Sequence, residues 1–265
     1  MNLLAAALDL LLPQSCAGCG GPGGLVCRAC EDQLAGPARL CLPSPPPAGL
    51  PPPFAVAPYA GPVRRLIIAH KERGLSGLAR PLGAALARAA AMAAGSGEPL
   101  LLVPVPSSRA SVRRRGHDPT LRIAEEASVR GAHLADGVRV VCVRALRHRR
   151  RVADQAGLSA ADRALNLTGA MESRLDLRGL RVIVADDVIT TGATLTEAAR
   201  ALRAAGADVS ASAVIAATRR RPGKDAAQED RRTDRADQML AAQAAPRGNQ
   251  AWPDNGHAGQ VCHPG

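Results

Sequence analysis

The sequence is nearly without aromatic residues, holding one Phe, one Tyr and one Trp in 265 residues. A core built on ring stacking is excluded, and so is a strand-binding platform that stacks bases on rows of aromatic side chains. Lysine is almost missing too. Of 34 basic residues only Lys71 and Lys224 are Lys and the other 32 are Arg, so a single Arg signals little by its type. No uncharged apolar run reaches the roughly 18 residues a membrane span needs. Leu78–Ala94 comes nearest and is interrupted by Arg80 and Arg88. Met1–Leu12 lacks a basic n-region and carries Asp9 within its apolar stretch, which argues against a secretory signal. Its apolar spacing predicts an amphipathic helix ended by Pro13, and the expected location is cytoplasmic.

What remains suffices for a core. Apolar residues make up 46% of the chain, so Ala, Leu, Val and Ile must supply it. The formal charge is +11. Residues 109–151 contribute +8 of it, from 12 Arg against Asp118, Glu125, Glu126 and Asp136. Such a field attracts phosphate esters, pyrophosphate or nucleic acid and is silent on fold.

Four of the seven cysteines read Cys16-Ala-Gly-Cys19 and Cys27-Arg-Ala-Cys30. Each C-x-x-C places two sulfurs on one tight knuckle, and two knuckles supply the four thiolates of a closed structural Zn²⁺ site. Two disulfides are disfavoured by a reducing cytosol, and redox C-x-x-C motifs come singly beside a βαβ pattern. Cys41, Cys142 and Cys262 have no spaced partners and are read as unliganded.

Seven of the eleven residues from Pro43 to Pro53 are proline, which predicts a stiff connector rather than helix. Beyond it, strands and helices alternate. Strands are expected at Phe54–Tyr59, Leu100–Val105, Val138–Val143, Val182–Ala185 and Ala207–Ala217. Helices are expected at Gly61–Arg73, Leu78–Ala94, Pro119–Val129, Ser159–Leu165 and Thr194–Ala205. That alternation predicts a mainly parallel α/β sheet flanked by helices. The mixed polar segment 219–265 has no sustained apolar period and is expected to be a disordered tail. The organisation expected is an N-terminal helix and four-cysteine zinc module (1–35), a Pro-rich linker (36–53), the α/β domain (54–218) and the tail.

The most informative stretch is Val182-Ile-Val-Ala-Asp186-Asp187-Val-Ile-Thr190-Thr191-Gly192-Ala193-Thr194. An apolar strand delivers two adjacent acids, a short loop follows, and a helix begins. Gly192 allows close backbone approach, and the loop amides with the helix N-terminus form a positive cradle for phosphate. The hydroxyls of Thr190, Thr191 and Thr194 add donors. Asp186 and Asp187 would repel a phosphate, so their partners are sugar hydroxyls and Mg²⁺. A phosphorylated sugar suits this pattern.

The stretch resembles the signature of the type I phosphoribosyltransferases, two acids followed by x-x-Thr-Thr-Gly-x-Thr after an apolar strand. The resemblance implies that Asp186 and Asp187, the candidate catalytic pair, engage the ribose hydroxyls of phosphoribosyl pyrophosphate. It gives the 5′-phosphate to the loop from Thr190 through Thr191, Gly192 and Ala193 to Thr194. Over most of residues 10–217 the chain is similar to the ComF family, competence-associated proteins that join a cysteine-rich zinc module to a phosphoribosyltransferase domain. Matching stretches are Cys16–Cys30, Tyr59 through Arg64 and Arg65 to Lys71, Val103–Pro106, Arg115-Gly116, Gln155, Arg163, Asn166 and Asp186–Thr194. The chain departs from that family at His117, Asp118 and Pro119, where an aromatic, Asn and Gln are usual, and in a smaller cysteine module.

The fold implied is a type I phosphoribosyltransferase-like sheet with a zinc-ribbon-like module ahead of it. The loop Ser107–Gly116 would be the pyrophosphate loop, with Arg113, Arg115 and Lys71 as its cations. His70 and His117 are read as packing or surface residues. Two functions follow as expectations. One is a transferase using Mg²⁺ and a nitrogen acceptor, linked to DNA uptake. The other is a non-catalytic module that handles single-stranded DNA through Arg113–Arg115 and Arg144–Arg151 or senses phosphoribosyl pyrophosphate, with DNA-uptake proteins as further expected partners.

Overall fold

The computed structural model describes residues 15–94, 100–131, 140–150 and 167–218. The chain divides into two units, Met1–Arg219 and Arg220–Gly265, and every described residue belongs to the first. The expected helices Met1–Leu12 and Ser159–Leu165, the segment 219–265, and Gln155, Arg163 and Asn166 lie outside the described residues.

The described elements in chain order are α1 (Arg28–Leu34), β1 (Arg39–Leu40), β2 (Pro53–Pro58), α2 (Gly61–Glu72), α3 (Ala79–Ala94) and β3 (Leu100–Pro104). Then come α4 (Arg109–Arg115), α5 (Pro119–Gly131), β4 (Val140–Cys142), β5 (Leu146–His148), β6 (Met171–Ser173), β7 (Arg181–Ile189), α6 (Ala193–Ala204) and β8 (Asp208–Ala217). A six-stranded sheet runs β1-β2-β8-β7-β3-β4. Only the edge pair β1–β2 is antiparallel. β5 and β6 form a separate antiparallel pair. The mainly parallel sheet with flanking helices is as the alternating pattern predicted.

Period-2 alternation along β7 divides the core between the two faces of the sheet. Ile183 and Ala185 join Leu66, Leu82, Leu86 and Ile123 on the face covered by α2, α3 and α5. Val182 and Val184 join Leu195, Leu202, Met171 and Leu177 on the face covered by α6. With rings scarce, Ala and Gly close the gaps. A Cβ on Gly83 of α3 would lie 2.5 Å from Glu126 Cβ and 3.0 Å from the Ile123 carbonyl oxygen of α5. The two helices pack at backbone distance, which a larger residue would forbid.

The cysteine segment shares the core of the α/β domain. Cys16, Cys30 and Leu34 are buried in the same cluster as α2 and α3, and α1 packs on α2, α3 and β2. The proline-rich stretch likewise lies along the domain rather than spanning open space. Ser212 Oγ donates to the Pro51 carbonyl at 3.1 Å, its N–H to Pro52 at 2.9 Å, and Arg203 donates to the Gly49 carbonyl at 2.7 Å. Proline leaves backbone carbonyls without competing N–H groups, so side chains of the domain take them up. Among the described residues no helix is long and apolar enough to cross a membrane.

Candidate functional site

β7 is nine residues long, and this length creates the site. β3 pairs with it only as far as Pro104 opposite Ala185, with one more bond from Val105 N–H to the Ala185 carbonyl at 2.8 Å. β8 follows it to Ile189. Past Ala185 the β3 side of β7 is therefore open, and Asp186 and Asp187 stand at that notch. The sequence reading ended the strand at Ala185. The acids lie within the strand because β8 supplies ladder partners opposite Asp186, Val188 and Ile189.

A cavity of about 370 Å³ fills the notch, bordered by Asp186, Asp187, Thr190, Thr194, Lys71 and the loop Val105–Ser107, with Tyr59 and Thr120 at its margin. Neighbouring strand residues face opposite ways, yet both acids reach the cavity. Asp186 turns back, and its Oδ1 accepts the Asp187 N–H at 2.8 Å. Asp187 is buried, and its Oδ2 lies 2.7 Å from Lys71 Nζ. Lys71 is thus the counter-charge of this buried oxygen. Burial and the adjacent Asp187 carboxylate hold Asp186 well above the ordinary carboxylate range, with Lys71 opposing them. Burial pulls Lys71 down, but the charges of Asp187 and Asp186 outweigh it and leave Lys71 above its ordinary value. A lysine and two acids in one notch form a charged grip suited to hydroxyls and cations.

The Thr-Gly loop turns as its sequence requires. Gly192 sits at φ +81°, a left-handed conformation natural to glycine, and α6 begins at Ala193. Thr191 Oγ1 accepts the Ala193 N–H at 3.4 Å. Thr190 and Thr194 border the cavity, whereas Thr191, Gly192 and Ala193 form the turn behind it. From the other side the proline-rich stretch leans on this turn. A Cβ at Gly192 would come within 3.2 Å of Leu50 and 3.3 Å of Pro47.

The arginines of the loop after β3 are placed elsewhere. Arg115 pairs with Glu72 at the end of α2, at 2.5 Å, and Arg114 lies 3.6 Å from the same carboxylate. Arg113 borders a neighbouring cavity. Neither Arg113 nor Arg115 is brought to the lining of the notch beside the acids. Ser107, the first residue of the expected pyrophosphate loop, is, together with Tyr59 and Thr120, to which the sequence assigns no role. Asp118, the departure noted in the sequence, anchors the loop. It accepts from Ser107 N–H at 3.0 Å and Ser107 Oγ at 2.9 Å, and from Leu121 N–H at 3.3 Å as a cap of α5. An Asp just before a Pro was the available signal. His70 is fully buried between the Leu75 and Pro119 carbonyls, a packing residue.

Away from the notch, the sulfurs of Cys16, Cys19, Cys27 and Cys30 all lie within 4.8 Å of one another. The four are unbridged, and Cys19 and Cys27 sulfurs stand 3.5 Å apart. Four sulfurs at about 2.3 Å from Zn²⁺ would be about 3.8 Å from each other, so the cluster fits the ion. Amides of Gly18 and Cys27 point at Cys16 Sγ, each at 3.3 Å. Burial pushes the Cys16 thiol up, but the amides of Cys27, Cys19 and Gly18 outweigh it and bring it down to about 6. Burial and the neighbouring sulfurs push Cys30 up. One thiolate is thus stabilised in advance, and a divalent cation would draw out the others. Gly18 has no room for a side chain, since a Cβ there would meet Cys30 Sγ at 2.9 Å. The Gly18 carbonyl accepts from Arg65 Nε of α2, the helix that carries Lys71.

Comparison with known proteins agrees with this arrangement. Residues 121–238 match the family model described as phosphoribosyl transferase domain. The adenine phosphoribosyltransferases of Mycobacterium avium (strain 104) and Mycolicibacterium paratuberculosis (strain ATCC BAA-968 / K-10) are each 56% identical to this chain over 41 residues. That stretch is 16% of this chain and 23% of each relative. The chain therefore spans about a quarter of the length of the curated relatives it matches. The domain match covers less than half of the chain, and the four-cysteine cluster fits a zinc module.

Proposed function

We propose that the chain binds phosphoribosyl pyrophosphate with Mg²⁺ and transfers its phosphoribosyl group to a nitrogen acceptor. The observation that carries the proposal is the notch itself, where two acids, Lys71 and a Thr-Gly turn meet around one cavity beyond the end of β3. Asp186 and Asp187 grip the ribose hydroxyls, and the Thr190–Thr194 turn receives the 5′-phosphate. Lys71, held on Asp187, offers its charge to the pyrophosphate. Arg113 and Arg115 stand farther out along the same loop and helix.

In the transfer, the acceptor nitrogen forms a bond to ribose C1′ as the bond from C1′ to the pyrophosphate oxygen breaks. Pyrophosphate leaves with that electron pair, and the acceptor's proton passes to solvent. The chain positions the reactants and stabilises the charge that develops on the leaving group. The carboxylate oxygens of Asp186 and Asp187 are hard donors of the kind Mg²⁺ prefers, and both border the cavity. Bound Mg²⁺ would neutralise the departing pyrophosphate.

Calorimetry with phosphoribosyl pyrophosphate and Mg²⁺ tests the binding step. Asp187→Asn should weaken binding at least tenfold, and unchanged affinity overturns the reading. Pyrophosphate release is then followed against purines, pyrimidines and small amines. Acceptor-dependent release is expected, and hydrolysis indifferent to acceptor overturns transfer. The similarity to the ComF family extends the proposal to a role in DNA uptake, supported by the joining of the cysteine cluster and the notch in one core. Cells carrying the Asp187→Asn chain should transform less efficiently with single-stranded donor DNA.

A further inference from the structure

A second cavity, of about 320 Å³, lies beside the notch and shares its loop Val105–Ser107. Its floor is apolar, formed by Pro104, Val105, Pro106, Val112, Leu121 and Leu146. Its rim is Arg113 of α4, Arg144 after β4, Arg147 of β5 and Arg174 after β6. Arg147 is neutralised by Glu172 at 2.7 Å. Among the described residues no carboxylate lies within ion-pair distance of Arg113, Arg144 or Arg174. The one acid on the lining, Asp118, is occupied by Ser107 and the amide of Leu121. An Arg-rich composition explains many arginines on the surface. It does not explain why arginines from three separate segments converge on one hollow whose single lining carboxylate, Asp118, offsets only part of their charge, so that their remaining repulsion costs free energy.

That repulsion is relieved by an anion, and planar guanidinium groups match phosphate oxygens two at a time. The floor adds a second requirement. A free phosphate or sulfate would leave the part-exposed Pro106, Val112 and Leu121 uncovered above buried Pro104, Val105 and Leu146, whereas a ligand with a flat, weakly polar body would cover them and lie against proline rings and guanidinium planes. The volume falls at the lower end of the about 300–1,000 Å³ usual for small-molecule sites. The geometry points to a binding site for a nucleoside phosphate, separate from the notch, with its base on the Pro104–Leu146 floor and its phosphate on Arg144 and Arg174. The site goes beyond the proposed transfer reaction and does not depend on it. His148 ties the two cavities together mechanically, its Nε2 lying 2.9 Å from the Pro106 carbonyl on the shared loop.

The test uses the full chain with its metal and AMP as the probe, measured by calorimetry, with adenosine, inorganic phosphate and a dT oligonucleotide as competitors. The notch is kept filled by saturating phosphoribosyl pyrophosphate and Mg²⁺, because a 5′-nucleotide is also a product of the proposed transfer. Arg144 and Arg174 are exposed, so Arg144→Ala/Arg174→Ala should fold, which thermal unfolding checks, and the Lys pair at the same positions keeps the charge. AMP affinity should fall at least tenfold in the Ala pair and be partly restored in the Lys pair. Asp187→Asn should leave AMP affinity within twofold, and phosphoribosyl pyrophosphate affinity should stay within twofold in the Ala pair. Absence of AMP binding at millimolar concentration overturns the site, as does unchanged affinity in the Ala pair or loss of AMP in Asp187→Asn. Equal competition by inorganic phosphate also overturns it, because the floor would then contribute nothing. Displacement of AMP by the oligonucleotide at lower nucleotide concentration overturns it in favour of a strand contact. Failure of phosphoribosyl pyrophosphate binding in the unmodified chain would strike the transfer proposal alone.

Discussion

The contact between Lys71 and Asp187 joins two elements that sequence order keeps 116 positions apart. Removing Lys71 leaves a buried carboxylate with no counter-charge, a costlier state than removing both partners. Lys71→Met should therefore lower stability in urea by about 1–3 kcal/mol, and Lys71→Met/Asp187→Asn should recover most of that loss, a coupling that a double-mutant cycle reads directly. Glu197 on α6 gives a pH signature. Burial pushes it up, but the Arg200 guanidinium and the amides of Met171 and Gly169 outweigh burial and hold it below its ordinary value near 4.5. Its folded value is the lower one, so as the pH drops the unfolded chain takes up the proton first. Its contribution is full above about pH 4.5 and is lost as the pH falls through the folded value. The stability gap between wild type and Glu197→Gln should accordingly shrink between pH 5.5 and pH 3 in urea titrations. At this scale the acids, the Thr-Gly turn and Lys71 were legible because each follows from local order or from rarity. Arg115 was not, because its partner Glu72 is 43 residues away, and no local pattern tells an ion pair from a ligand contact.

Strand and helix positions follow from hydrophobic period, and the predicted strands and helices within the described residues match to within one or two residues, apart from β7. Its continuation through two acids breaks the apolar run, so pattern alone stops it early, and only its pairing with β8 reveals its length. The Arg-rich sequence of α4 shows no apolar stripe, so hydrophobic period alone predicts a loop there. The short strands β1, β5 and β6 carry too few residues for a period to register. α2 is the element that connects the two sites, with Arg65 on the Gly18 carbonyl and Lys71 on Asp187. Six residues of helix span about 9 Å, a short and stiff distance. Cys19→Ser should reduce zinc measured by atomic emission from one equivalent per chain and lower the unfolding midpoint. Chelation of the wild-type chain should reproduce the lower midpoint, since metal binding to such a cluster contributes directly to folding.

On the scale of the molecule, the +11 charge sets up a long-range field. Association of phosphoribosyl pyrophosphate should therefore slow as salt rises from 0.05 to 0.5 M, roughly in step with screening, and stopped-flow mixing measures this. The dissociation rate should change far less. Composition made that field visible in advance, but not which cavity each Arg would face, because that depends on how separate segments converge. Nor did the prolines of residues 43–53 show that they would lie against the domain, since a stiff segment can hold parts apart or brace them. Here Leu50 and Pro47 press on the back of Gly192, while Arg203 and Ser212 fasten the segment from either side. The turn that would receive a phosphate is thus already shaped before any anion arrives. Its ordering belongs to folding rather than to capture, and a ligand entering the notch meets a mould already set.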